Sequence, residues 1–182
     1  KELIYCIIDK NLKTRTGADL INKAIPKCVP TFKVALANSY DKQKKKVDFN
    51  TQTWFASQKL DGVRCLAIVD ENGKCNFYSR QGKTFDTLDV VKNEIESLEL
   101  TNVVFDGEVC IVDENGVENF QDIMKEIKRK DHTIKNPKYK IFDYLTLEEF
   151  DNQLSTRNLS VRLSTCVKPK LGCVEMLEQW KV

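Results

Sequence analysis

The chain has 182 residues, 41% of them hydrophobic, enough to bury a core in one domain or in one domain with a small appendage. Lys and Arg number 29 against 27 Asp and Glu, so the formal charge of +2 does not mark a nucleic-acid binder, and any affinity for DNA has to come from local patches. The seven cysteines (Cys6, Cys28, Cys65, Cys75, Cys110, Cys166 and Cys173) are scattered, odd in number and without a close CxxC pair, which argues against a disulfide framework or a zinc site and for buried thiols in a reducing cytosol. The opening Lys-Glu-Leu-Ile-Tyr-Cys-Ile-Ile-Asp is too short for a secretory signal, and no stretch reaches the roughly 18 consecutive apolar residues of a membrane span. The expectation is a cytoplasmic protein with no membrane partner, and a chain that starts at Lys rather than Met reads as a fragment.

From Asp9 to Ala24, apolar residues at Leu12, Ala18, Leu20, Ile21 and Ala24 have helical spacing, and Pro26 and Pro30 stop the helix. This predicts a helical lead-in over 1–35, with the main domain over 36–182. Lys42 to Lys46 holds four lysines in five residues, either a solvated face or a phosphate contact. Thr53 to Gln58, Val63 to Val69 and Lys74 to Ser79 read as strands, the last two joined by Asp70-Glu71-Asn72-Gly73 as a hairpin. A helix is expected over Leu88 to Leu98. Two strands, Asn102 to Phe105 and Glu108 to Val112, come next, then a turn at Glu114-Asn115-Gly116, a helix over Phe120 to Arg129 and a buried strand over Tyr139 to Tyr144. A short helix over Glu148 to Asn152 and a strand over Gly172 to Leu177 close the list. Hairpins mixed with helices predict an α+β fold on antiparallel sheets rather than a doubly wound parallel one.

Chemistry concentrates first in Lys59-Leu60-Asp61-Gly62-Val63-Arg64, where a lysine sits at a strand end beside a turn. A lysine attacking phosphorus must shed its proton; burial and nearby cations favour that, and Arg64 would be such a cation. Gly62 lets the chain turn tightly and a nucleotide approach the backbone, and Asp61 can cap the turn. In chain order there follow Ser79-Arg80-Gln81-Gly82, then Phe105-Asp106-Gly107-Glu108-Val109, then Lys140-Ile141-Phe142-Asp143-Tyr144-Leu145. Each has an ordinary structural reading as well: Phe142 as a core aromatic, Glu108 as a strand-edge acid, Arg80 as a surface charge at a hairpin end.

The ordered set of four, spanning roughly Leu36 to Leu145, resembles the ATP-dependent DNA ligases within the lysine nucleotidyltransferases. The lead-in, Ala24-Ile25-Pro26 and Leu36-Ala37-Asn38-Ser39-Tyr40-Asp41, looks like that of T-even-type phage enzymes. The resemblance implies the ATP-grasp-like adenylation fold of that family. It implies that Lys59 attacks the α-phosphate of ATP and keeps AMP through a phosphoamide bond, that AMP passes to the 5′-phosphate of a nick in double-stranded DNA, and that the 3′-hydroxyl then seals the strand in repair, replication or recombination. Arg64 and Arg80 resemble phosphate and ribose contacts, which suits guanidinium groups. Glu108 resembles the carboxylate that contacts ribose or supports Mg2+, and Phe142 the aromatic that stacks on adenine, an interaction worth about 1–3 kcal/mol. Mg2+ would shield the triphosphate as the amine approaches. A monomer is expected.

Two departures stand out. The position two before the nucleophile, where the family reads the adenine amino group with Glu or Gln, is Ser57, with Gln58 beside it. The later motifs, a Glu-Gly strand and a Lys-x-Lys strand, are absent before Val182. Lys168-Pro169-Lys170 is no substitute, because its proline cannot donate in a central strand. The fold is therefore expected to be incomplete at the C-terminus, without the following oligonucleotide-binding domain, and the fragment is expected to adenylylate poorly or not at all. The competing readings are an RNA ligase, an mRNA-capping guanylyltransferase, or a non-catalytic DNA-binding remnant that holds DNA through Lys42 to Lys46 and the basic run Lys125 to Lys140, in which His132 is read as solvent-facing.

Overall fold

A computed structural model describes residues 17–26, 28, 29, 32, 34–167, 169 and 172–182. The chain divides into two units, residues 1–32 and 33–182. In the first, helix α1 (Ala18–Ala24) ends at Ile25 in extended backbone. Asn22 ties down the chain beyond it, donating to the Val29 carbonyl at 2.7 Å and accepting from the Val29 amide at 2.8 Å. The expected helix start at Asp9, Cys6, Pro30, and the two lysines of the Lys168-Pro169-Lys170 string lie outside the described residues.

In the second unit a two-stranded sheet pairs β1 (Phe55–Ser57) with β7 (Gln179–Lys181). The main sheet has the order β3-β2-β4-β5-β6, built from β2 (Val63–Val69), β3 (Cys75–Tyr78), β4 (Val103–Ile111), β5 (Pro137–Thr146) and β6 (Val174–Met176). All pairs are antiparallel, as expected, except the edge pair of β5 with β6, which is parallel. The tetrapeptide Asp-Glu-Asn-Gly occurs twice and folds the same way both times. At Asp70 and at Asp113 the aspartate carboxylate accepts two amides ahead of it, and the following glycine adopts φ 77° or 79°. That left-handed conformation costs glycine nothing, and the aspartate side chain replaces the missing ladder bonds.

Alternation along the strands makes the sheet two-faced. Cys65, Ala67 and Val69 of β2, Val103, Phe105 and Val109 of β4, Tyr139 and Ile141 of β5, and Val174 of β6 form one apolar face. Helices α3 (Asp89–Glu96) and α4 (Phe120–Glu126) contribute Val91, Ile95 and Ile123 to the same core. Each fully buried Val, Ile or Phe among them contributes about 1.5–3 kcal/mol. The opposite face bears Arg64, Asp106, Glu108 and Lys140.

Two features differ from the sequence reading. The strands expected on either side of Asp106-Gly107 are one continuous strand, β4. Asp-Gly is a turn signal in local sequence, but here Gly107 admits the Tyr139 ring: a Cβ on Gly107 would lie 2.7 Å from its Cε2. The Tyr139 hydroxyl lies 3.0 Å from the carbonyls of Cys65 and Phe105, so it staples three strands. The second feature is a register shift. Asp106 pairs with Asp143 and Gly107 with Ile141, which leaves Phe142 as the extra residue of a β-bulge. The bulge turns Tyr144 into the core and Asp143 out of it, where Arg162 holds both carboxylate oxygens at 2.7 and 2.8 Å. Arg162 belongs to α6 (Leu159–Thr165), which the sequence reading missed along with β7 and α2 (Tyr40–Gln43). Helix α5 (Leu147–Asp151) falls where expected and starts with a capping box between Thr146 and Glu149.

Candidate active site

Lys59 lies between β1 and β2 and is exposed, its Nζ 3.4 Å from the Leu60 carbonyl. These residues leave the amine uncovered, contrary to the expectation that burial would prepare it. Its loop, in contrast, is closely fixed. Leu60 is buried, and the next two amides each meet a carboxylate: Asp61 N–H donates to Glu118 at 2.6 Å and Gly62 N–H to Glu108 at 2.8 Å. Gly62 is present for close approach. A Cβ there would lie 2.6 Å from Cys110 Sγ and 2.9 Å from Glu108 Cγ, and would press on the Val109 carbonyl.

The cross-strand register places Arg64 opposite Glu108, Glu108 opposite Lys140, and Lys140 opposite Glu175. Opposed residues share a face, so this is one row of alternating charge running across four strands beneath the lysine loop. Arg64 sends its Nε to Asp106 at 2.9 Å, grips the other carboxylate oxygen through Nη2, and donates to the Ala35 carbonyl at 2.6 Å. Its guanidinium also lies 5.1 Å from the centre of the Phe142 ring. Arg64, expected to supply positive charge near Lys59, is paired with Asp106, which is buried. Burial pushes the Asp106 carboxyl up, against the Arg64 bonds that favour its ionised form. Burial likewise raises Glu108, opposed by the Gly62 amide and by the charge of Lys59, which is near enough to be felt.

Thus Lys59, Arg64, Glu108 and Phe142 gather on one side of the sheet, Phe142 half-buried at the bulge rather than deep in the core. Arg80 is exposed in the turn after β3, where Ser79 N–H donates to the Lys83 carbonyl at 2.7 Å. Gln58 is exposed one residue past β1, while Ser57 pairs with Gln179, whose carboxamide donates to the Phe142 carbonyl at 2.8 Å. Sequence reasoning missed Glu118, Asp106 and Gln179 as members of this neighbourhood. His132 is half-buried against Glu126 rather than simply solvent-facing. The basic run does not act as one stripe, since Lys140 pairs with Glu118 at 2.9 Å and Lys138 donates to the Gly172 carbonyl. Lys42, Lys44, Lys45 and Lys46 are exposed on α2 and the 3-10 turn Lys44–Lys46 after it.

Among the described residues, no group of three or more His, Cys, Asp or Glu side chains could hold a metal. Glu108, which accepts the Gly62 amide of Lys59's loop and feels the Lys59 charge, fits a magnesium ion carried on substrate phosphates and one carboxylate, not a resident all-protein site. No described helix is long and apolar enough to cross a membrane.

Comparison with known proteins adds three findings. Residues 34–182 match the family described as ATP dependent DNA ligase domain. No curated protein matches. Among solved structures, Pmar-Lig_Pre superposes with a TM-score of 0.70 at 28% identity over 98% of this chain and 42% of that one, and Pmar-Lig_PreS3 with 0.65 at 28% identity over 98% and 43%. The ATP-dependent DNA ligase from bacteriophage T7, in complex with ATP, shares the fold with a TM-score of 0.55 at 20% identity over 86% of this chain and 56% of that one. The chain thus spans less than half the length of the first two. With the family match covering residues 34–182 and the lysine loop, Glu108 and Phe142 on one side of the sheet, the chain belongs to the ATP-dependent DNA ligase domain family.

Proposed function

We propose that this chain carries the nucleotide-transfer site of a DNA ligase and that Lys59 is the residue that takes AMP. The observation that carries the reading is the lysine loop itself, whose two amides after Leu60 are fixed by carboxylates while its amine stands exposed over the charged face. In the proposed step the Lys59 amine attacks the α-phosphorus of ATP. A P–N bond forms, the bond to the bridging oxygen of the β-phosphate breaks, pyrophosphate leaves and the amine proton passes to solvent. The half-buried Phe142 ring, fixed at the bulge, offers a face for the adenine. Glu108 is placed to meet the ribose or a phosphate-borne Mg2+, which would neutralise developing charge. Arg80, exposed beside the site strands, is available for phosphate or ribose, and Gln58 for the base edge. Arg64 acts chiefly by ordering Asp106 and Phe142.

In the whole protein, AMP then moves to the 5′-phosphate of nicked double-stranded DNA, and the 3′-hydroxyl displaces it. The exposed Lys42, Lys44, Lys45 and Lys46 suit contact with the DNA backbone. The protein acts as a monomer in the cytoplasm, in repair, replication or recombination, and its Ala24-Ile25-Pro26 and Leu36 to Asp41 stretches are phage-like. Sealing assays with the full-length protein test this. A nicked DNA duplex is joined far faster than a nicked RNA duplex, and Lys59→Ala joins neither. Faster joining of RNA would move the substrate assignment to RNA ends.

A further inference from the structure

We propose that Glu118 is a positioning residue for Lys59, fixing the backbone of the lysine's loop at Asp61 with Lys140 as its counter-ion. The inference rests on the assignment of Lys59 as nucleophile. Glu118 stands just before Asn119, the N-cap of α4, and is bridged to Val112 at the end of β4. Only 8% of its side chain is exposed. One oxygen, Oε2, accepts the Asp61 amide at 2.6 Å; the other, Oε1, accepts Lys140 Nζ at 2.9 Å. Lys140 in turn lies 3.9 Å from Glu175. A carboxylate that crosses from one hairpin to the loop between β1 and β2, 57 residues away in sequence, is not a local cap.

The arrangement has a mechanical consequence. Gly62 is wedged against the Cys110 sulfur and the Val109 carbonyl and cannot move inward, while the Asp61 amide is drawn toward Glu118. The segment that follows Lys59 is therefore held from two directions, which limits where the amine can travel. Charge-assisted bonds to backbone amides are about twice as strong as neutral ones, so the charge on Glu118 matters as well as its shape. Burial opposes that charge, yet the Asp61 amide and Lys140 outweigh it and hold the carboxyl below its ordinary value. Burial also works against the charge on Lys140, and Glu118 more than offsets it, so Lys140 stays raised. Glu108 and Glu175 are the other carboxylates facing this pair, and Cys110 is the adjoining thiol.

The test compares full-length parent, Glu118→Gln, Glu118→Asp, Lys140→Met and Lys59→Ala by two measurements. The first follows the Asp61 and Gly62 amides by 1H–15N spectroscopy as pH is lowered. In the parent the Asp61 amide shift titrates with a carboxylate below the ordinary range. Glu118→Gln abolishes that titration and leaves Gly62 in place, and Lys140→Met moves it upward. The second is single-turnover transfer of AMP from α-labelled ATP and magnesium. Glu118→Gln slows it about tenfold with KM for ATP within about twofold, and Glu118→Asp restores part of the rate. An Asp61 amide that ignores Glu118→Gln overturns the proposal, as does an equal rate in parent and variant. Transfer by Lys59→Ala overturns the nucleophile assignment instead. If the parent transfers no AMP, the amide titration decides alone: its presence supports the clamp and its absence overturns it.

Discussion

Replacing Gly62 with alanine perturbs the lysine loop at the point where the structure leaves least room. The added Cβ would lie 2.6 Å from Cys110 Sγ and 2.9 Å from Glu108 Cγ. Ordinary contacts of this kind are about 3.5–4 Å, so the loop must withdraw by about 1 Å. Because the Val109 carbonyl also faces the new atom and is backbone, side-chain rotation cannot relieve the whole conflict. Overpacking of this kind costs about 1–3 kcal/mol of stability, and a 1 Å displacement of a reacting group costs about a hundredfold in rate. Gly116→Ala is the matched control. It has φ 79°, and no described atom lies within 4 Å of the position its methyl would take, so it should cost about 1–2 kcal/mol through backbone strain alone. Single-turnover AMP transfer and thermal unfolding of both variants separate the effects: Gly62→Ala loses rate out of proportion to stability, and Gly116→Ala loses stability with its rate intact. A folded Gly62→Ala protein that transfers AMP within about threefold of the parent rate would refute the reasoning.

Phe142→Ala removes the ring proposed to carry the adenine, and a loss of about 1–3 kcal/mol of stacking should raise KM for ATP by roughly fivefold to a hundredfold in steady-state assays. Arg64→Lys keeps the charge but loses the two-pronged grip on buried Asp106, and urea unfolding should show a loss of about 1–3 kcal/mol. The pH dependence of stability should reflect Glu149. The Arg157 hydrogen bond beside it, against the effect of burial and with help from the Thr146 amide and Ser155, holds its carboxyl well below the ordinary range. A depressed carboxylate stabilises the fold above its unfolded pKa of about 4.3 and loses that contribution as pH falls toward the folded value. Urea midpoints measured from pH 7 down to pH 3 should therefore fall less steeply in Arg157→Ala than in the parent, and equal slopes would contradict the assignment.

Much of the site was legible because its residues lie in short strings with physical meaning. Lys59 to Arg64, Asp106 to Glu108 and Phe142 each sit at a strand end or on a strand, and the two Asp-Glu-Asn-Gly turns set the hairpins by local chemistry. What stayed hidden depends on contacts across the fold. Nothing local distinguishes Asp106-Gly107 in mid-strand from Asp-Gly in a turn; the Tyr139 ring packed over Gly107 decides it. The bulge at Phe142 comes from pairing register, which no periodicity in β5 reveals. The bond from Arg64 to Asp106, 42 residues on, was not legible either, because it joins two strands distant in sequence. Glu118 carried no signal at all beyond being one of many surface-like acids, and strand β7 is too short to announce itself.

The central claim is that Lys59 becomes covalently bound to AMP, and the most direct measurement is intact-mass analysis of the full-length protein after incubation with ATP and magnesium, beside Lys59→Ala, with peptide mapping of the product. The account predicts one added AMP on the parent, mapped to the peptide bearing Lys59 and lost in acid as a phosphoamide is, and none on the variant. AMP retained by Lys59→Ala, or mapped to another residue, would contradict it.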